Sequence, residues 1–357
     1  MSNPVSLTNS VLLTIPVVSF RHLRRLTDAN GLFEHAEGAL ARNSHGYCVD
    51  DAARALVVVC REFAASPGSE LDDLAENDLA ENYLTFVIAA QSRDGRFRNR
   101  RAHDGHWQGR ATLQDCWGRA LWGLGTAAST LPTERGRSAA LTAFARGARQ
   151  RSLWVRPMAF AALGAAEVLR TSPEHSGARA LLAAAANTIG RPRASRSWPW
   201  PEDRLHYANA VIPEALLAAG SALDDNTVLS DGLVLLDWLV EEETRDGHFS
   251  LTPVGGRALG DLAPSFDQQP IEAAALADAC ARAFEITGDN RWAIAIELAV
   301  AWFLGNNDSG ASLYDPETGG GYDGLERGGR NENQGAESTL AALSTLQHGH
   351  SLFASSR

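Results

Sequence analysis

The sequence predicts an all-α protein, an (α/α)6 toroid of about twelve helices in an inner and an outer ring. Three observations predict it. Apolar residues recur at helical spacing between Gly, Pro and charged breaks along most of the chain. Ala and Leu dominate the apolar set and β-branched runs are few, so intrinsic preference leans towards helix. Polar, aromatic-bearing clusters open every second helix, whereas the helices between them open on bland sequence.

In chain order the helices fall near residues 16–29, 49–66, 76–91, 114–131, 133–150, 156–171, 174–189, 206–223, 225–243, 268–287, 289–305 and 334–352. Asp50 and Asp51 begin the second, and Asp115 begins the fourth. Short links such as Leu131-Pro132-Thr133 and Gly288-Asp289 alternate with longer links rich in Gly, Trp and Asp, which pairs the helices into six hairpins. SRDGRFRN (92–99), TRDGHFS (244–250) and the looser TGGGYDG (318–324) recur in the long links, as stacked units do. No Pro/Ser/Gly linker divides the chain, so residues 1–357 are expected to form one domain. The even-numbered helices carry small-residue runs (AARALVVV, RALWGLG, AFAALGAAE, EAAALADACARAF) suited to an inner ring. The odd-numbered ones carry more charge, as in the acidic run from Leu71 to Asn82, and suit an outer ring with a solvated face.

The polar clusters are HGYCVDD (45–51), LQDCWGR (113–119), WVRP (154–157), PEDRLHYAN (201–209), SFDQQPIE (265–272) and NENQGAES (331–338). With the intervening helices running the other way, all six meet at one face and define a cleft.

Composition narrows the function. A formal net charge of −11 repels a phosphate backbone, and no Lys/Arg stripe with interleaved aromatics appears, so nucleic acid is excluded as a partner. The apolar stretch from Val11 to Phe20 is interrupted by Thr14, Pro16 and Ser19 and has no basic leader, and no later segment is long and apolar enough to span a membrane. A cytoplasmic protein is expected. Cys48, Cys60, Cys116 and Cys280 show no CxxC spacing and sit in apolar helical patterns, as reduced buried thiols do. No EF-hand spacing appears, and no metal or cofactor is expected.

Six hairpins with polar motifs at alternate helix starts resemble the six-hairpin glycosidase-like superfamily over nearly the whole chain. More narrowly, GLFEHAEG, HGYCVDDAARAL, DCWGRALWGLG, DQQPIEAAA and GGGYDGL with NENQGAESTLA resemble a bacterial family found alone or fused behind glycosyltransferase domains. The resemblance implies the toroid, an oligosaccharide substrate and a glycosyltransferase as partner; it assigns no catalytic residue. The Gly-rich nucleotide site of a complete sugar-nucleotide transferase is missing.

Glycosidic cleavage needs one carboxylic acid to protonate the leaving oxygen and a second carboxylate as base or nucleophile. Glu202, Asp203 and Asp267 lead as catalysts, with Asp51 and Asp115 behind them. Trp198 and Trp200 offer an apolar wall beside Glu202, and Gln268 and Gln269 offer amides beside Asp267. The ordinary structural explanation is that acids belong in first helical turns, and that Asp50 with Arg54 or Asp115 with Arg119 are surface pairs four apart. Capping alone, however, does not gather Trp, Tyr, His, Gln and Asn into the same loops. The residues expected to contact sugar are therefore His45, Tyr47, Asp50, Trp117, Arg119, Arg156, Trp198, Trp200, His206, Tyr207, Gln268, Gln269, Glu272, Asn333, Gln334 and Glu337. Arg54, Arg119 and Arg156 near the helix starts would favour phosphorolysis over hydrolysis. Two alternatives remain: a sugar epimerase or isomerase moving a proton with His45 and His206, and a noncatalytic glycan-binding module beside a glycosyltransferase.

Overall fold

The computed structural model describes residues 14–65 and 70–355; of 70–77 and 353–355 it describes the backbone only. Twelve helices are present among the described residues: α1 (Arg21–Arg25), α2 (Val49–Ala65), α3 (Glu70–Ala90), α4 (Asp115–Thr130), α5 (Glu134–Gly147), α6 (Val155–Thr171), α7 (Ser176–Ile189), α8 (Val211–Leu223), α9 (Asn226–Glu242), α10 (Pro270–Thr287), α11 (Asn290–Phe303) and α12 (Ala336–Ser355). The even-numbered helices form the inner ring: α2 packs on α4, α4 on α6, α6 on α8, α8 on α10, α10 on α12, and α12 returns to α2. The odd-numbered helices pack outside, and one continuous apolar core fills the space between the rings. The all-α toroid predicted by the sequence is the fold observed. No described helix is long and apolar enough to cross a membrane.

Glycine sets how closely the inner helices approach. Gly125 and Gly164 face each other between α4 and α6: a Cβ on Gly125 would collide with the Gly164 carbonyl, and one on Gly164 with the Leu121 carbonyl. On the other side of α4, a Cβ on Gly123 would lie 2.8 Å from the Ala53 carbonyl of α2. The small-residue runs thus let backbone meet backbone.

Connections alternate as expected. The links 131–133, 172–175, 224–225 and 288–289 lie at one end, and the long links 91–114, 190–210, 243–269 and 304–335 at the other, where short hairpins order them. The recurring phrases are such turns. In the second, Thr244–Arg245 pairs with His248–Phe249 across Asp246 and Gly247, both at positive φ (48° and 82°). Phe97 and Phe249, at matching positions in the first two phrases, are fully buried.

Three expectations need correction. The helix predicted at 16–29 is the single turn α1, because Asp28 Oδ1 accepts the backbone N–H groups of Asn30 and Gly31 in a local turn that competes with helix. α8 starts at Val211 rather than 206, since Arg204–Leu205 pairs with Arg257–Ala258 as a strand and Ala208 sits at φ 45°. α3 starts at Glu70, earlier than predicted. Of the acidic run, the side chains of 71–77 lie outside the described residues. All four cysteines are free and buried.

The two rings differ at their helix starts. Each outer helix from α5 to α11 has a side-chain cap: Thr133 accepts from the Gly136 N–H, His175 from Ala178, Asp225 from Thr227 and Val228, and Asp289 from Arg291. On the inner ring Gln114, Trp154, Ala210 and Gln269 precede α4, α6, α8 and α10 and cap nothing. First-turn N–H groups there are left without side-chain caps from the preceding residue.

Gly164→Ala is expected to destabilise the fold by about 1–3 kcal/mol, because the rigid backbone of α4 has to retreat. Urea denaturation against wild type reads this; an unchanged midpoint would show that the α4–α6 contact is slack.

Candidate active site

The inner-helix N-termini open onto a cleft of about 620 Å³. Asp50 of α2, the first turns of α4 and α6, the link 99–114 and the loop before α8 line it. Below it, side chains from all six inner helices enclose a chamber of about 50 Å³ on the ring axis, where Arg54, Arg119, Glu214, Asp278 and Glu337 interrupt apolar walls.

One chain of contacts joins two carboxylates in the cleft. The Tyr207 hydroxyl donates to Asp115 Oδ2 in the first turn of α4. The Tyr207 carbonyl accepts from Arg156 Nε at 2.6 Å, and its ring lies 5.0 Å from the guanidinium. Arg156, buried in the first turn of α6, donates through Nη1 to both oxygens of Glu202 at 2.7 and 2.9 Å, and through Nη2 to Asn209 Oδ1 at 3.1 Å. Trp198 Nε1 donates to the Glu202 carbonyl at 2.8 Å. Burial and then the Asp115 charge push the Tyr207 phenol above its ordinary range, so it keeps its proton and serves as donor. Asp115 Oδ1 has no hydrogen-bond partner among the described residues. Trp154, 64% exposed, presents its indole at the cleft edge.

A second cluster lies between cleft and axis. Asn99 Nδ2 donates to Asp50 Oδ2 at 2.7 Å, and Arg119 Nη1 stands 3.5 Å from Asp50 Oδ1. Arg54 joins Asp51 at 2.5 Å and Glu337 at 2.6 Å. Burial raises the Glu337 carboxyl, but Arg54 and Arg119 together hold it below the usual range. Glu34, Cys48 and Asp51 bring one donor atom each within 4.8 Å of one another. Arg100 and Arg54 already occupy the two carboxylates, which makes the group an ion-pair network.

The cleft or chamber thus collects Asp50, Asp115, Arg119, Arg156, Glu202, Tyr207 and Glu337 from the sequence-predicted residues. It leaves others out. Asp203 pairs with Arg193 at 2.9 Å, and its side chain is 95% exposed. Asp267, His45 and His206 are exposed and line neither cavity, and His45 stacks edge-on against His35 at 5.0 Å. Gln269 and Asn333 also stand outside, the latter accepting from the Gly38 N–H.

Several expected sugar contacts are turned into the protein instead, with their polar atoms hydrogen-bonded or their rings packed in the core. Tyr47, buried, donates to Asp28 at 2.8 Å, and Trp117, buried, donates to the Gly147 carbonyl. Trp198 and Trp200 pack on Trp238 in the core and form no platform. Gln268 ties the Leu251 N–H to Ser265 and Asp308; Gln334 ties Thr318 to Asp315. Glu272 accepts three N–H groups of Ala208 and Asn209, which fixes the loop that carries Tyr207. Asp51 is 2% exposed, paired with Arg54, and lines neither cavity. Sequence reasoning missed Asn99, Arg100, Gln108, Arg110 and Gln114 on the cleft wall, and did not single out Trp154 from its cluster. The first two lie in or beside a recurring loop that was noted only for its repetition, and Gln108 pairs with Arg100 across the next hairpin.

The chain is similar in structure to several solved proteins. A cellobiose 2-epimerase from Bacillus thermoamylovorans matches with a TM-score of 0.67 and 11% identity over 91% of this chain and 95% of that one. A D-mannose isomerase matches with a TM-score of 0.68 and 10% identity over 93% and 95%. An inactive Asp→Asn variant of an α-1,6-mannanase from Salegentibacter, in complex with α-1,6-mannotriose, matches with a TM-score of 0.64 and 10% identity over 93% and 96%. No protein-family model and no curated protein matches the sequence. The chain has the six-hairpin (α/α)6 glycosidase-like fold.

Burial drives the Asp51 carboxyl up to about 7 from 3.8, with Glu337 and Glu34 adding to the rise and Arg54 opposing it. A raised folded-state value means the native protein holds this proton more tightly than the unfolded chain. The stability it contributes is present at low pH and is lost as pH rises from 3.8 through about 7. Denaturation of wild type and Asp51→Asn at about pH 5 and about pH 8 tests the sign: wild type should lose ground to the variant at the higher pH. A gap of equal size at both values would refute it.

Proposed function

We propose that this chain is a carbohydrate-active enzyme that cleaves a glycosidic bond in a small oligosaccharide, with Asp115 and Glu202 as its carboxylates. The observation that carries the reading is the continuous chain Asp115–Tyr207–Arg156–Glu202, which holds two carboxylates from distant elements in one cleft. Asp115, with one oxygen free of protein partners, is the group that gives a proton to the leaving oxygen and, where a covalent intermediate forms, takes one from the incoming water. Glu202, oriented by Arg156, is the carboxylate that meets the developing positive charge as base or nucleophile. Trp154 at the edge offers an apolar face to a sugar ring. The likeness to proteins named for acting on or holding cellobiose, mannose and mannotriose supports the substrate class.

The epimerase reading is supported by the same likeness, but the histidines it relied on, His45 and His206, do not line the cleft. The glycosyltransferase partner implied by the sequence resemblance gains no support from the matching folds, and the proposal does without one.

Product analysis with neutral oligosaccharides, with and without phosphate, is the test. New reducing ends are expected, and phosphate dependence separates phosphorolysis from hydrolysis. An isomerised sugar with no bond cleaved would establish the epimerase instead, and binding without turnover a noncatalytic module. Asp115→Asn and Glu202→Gln should each lower kcat by about 10²–10⁴-fold, while Asp203→Asn leaves it unchanged. Loss of a stacking face in Trp154→Ala should raise KM severalfold at constant kcat; a fall in kcat alone would remove Trp154 from substrate binding.

A further inference from the structure

Arg119 is 5% exposed and makes no hydrogen bond among the described residues. Its guanidinium stacks on Phe160 with the carbon 4.6 Å from the ring centroid, and its one ion-pair contact within 4 Å among the described residues is Asp50 Oδ1 at 3.5 Å. A guanidinium carries five N–H donors, and here Nε is shut off from solvent without a partner, which is costly. The other chamber cation differs: Arg54 is joined to Asp51 and Glu337. Asp50 is incompletely paired as well. Asn99 and, weakly, the Cys48 thiol reach Oδ2, while Oδ1 has no hydrogen bond, and a carboxylate has about four acceptor positions. Donors and acceptor capacity therefore stand side by side where the cleft, lined by Asp50, adjoins the axial chamber, lined by Arg119.

We propose that Arg119 and Asp50 form a subsite that reads the hydroxyl groups of a neutral sugar. The proposal deepens the glycan reading above by stating the charge of the group bound. A hydroxyl both accepts and donates: Arg119 donates to its oxygen and Asp50 accepts its proton. The chamber, at about 50 Å³, has room for a hydroxyl or hydroxymethyl arm, and the ring stays in the cleft. An oxyanion fits worse. It would meet the Asp50 carboxylate 3.5 Å from Arg119, and Glu337, whose carboxyl Arg119 already helps to hold charged against the opposing effect of burial.

Calorimetric titration of the full chain with D-mannose, cellobiose and α-1,6-mannotriose, in the Asp115→Asn background to stop turnover, tests this. At least one sugar should bind, with affinity about tenfold or more lower when Arg119→Gln or the near-isosteric Asp50→Asn is added, and inorganic phosphate should not compete. Binding unchanged in both variants, competition by phosphate, or no binding of any of the three overturns the subsite. Sugar binding that depends on Arg119 and Asp50, with turnover intact in Asp115→Asn and Glu202→Gln, would leave the subsite standing and the proposed carboxylate pair refuted.

Discussion

Closure of the inner ring upon its own first helix is the constraint on which the rest of the molecule depends. Six helices surround one axis only if neighbours approach to backbone contact, and Gly123, Gly125 and Gly164 permit that around α4. Because each short link turns the chain back at the same end, closing the ring also gathers the six inner N-termini at the other. The cleft follows from packing before any functional residue is considered.

Buried and half-buried ion pairs run around this ring. Arg61 of α2 meets Asp278 of α10 at 2.6 Å, with Ser344 and His348 of α12 on the same carboxylate oxygen. Arg282 of α10 reaches Glu214 of α8 and Glu167 of α6, while Arg54 joins α2 to α12. Such pairs add little net stability over well-packed apolar residues, but losing one partner strands a charge and costs about 3–5 kcal/mol. Their effect here is to tie together helices distant in sequence and so fix their register. The Arg119–Asp50 contact, at 3.5 Å, is as long as any in the set, and it faces the cleft.

Capping follows the same division. Outer helices spend side chains on their own ends because those ends face solvent and short turns. Inner helices leave theirs to long loops, and those loops supply the aromatic and charged groups of the site. Arg156 in the first turn of α6 shows the consequence: its charge is met by Glu202 from the loop before α8, a partner no local pattern announces.

The fold was largely legible in the sequence, since helical periodicity, small-residue runs and alternating link lengths are local signals that ring packing does not override. The exceptions arose where local hydrogen bonds compete with helix, as at Asp28, or where a strand partner arrives from far away, as Arg257–Ala258 does for Arg204–Leu205. The end of the ring that carries the cleft was legible too, and within it Asp50, Asp115, Arg119, Arg156, Glu202 and Tyr207. What each residue does there was not. Tyr47, Trp117, Trp200 and Gln268 share the composition of binding residues, yet their polar atoms or rings are consumed by the core, while Trp154 in a similar cluster is left outside. Residue type and spacing determine which elements form and which ends meet; whether a side chain there turns inward or faces the cleft depends on contacts with other segments of the chain, and only the closed ring decides those.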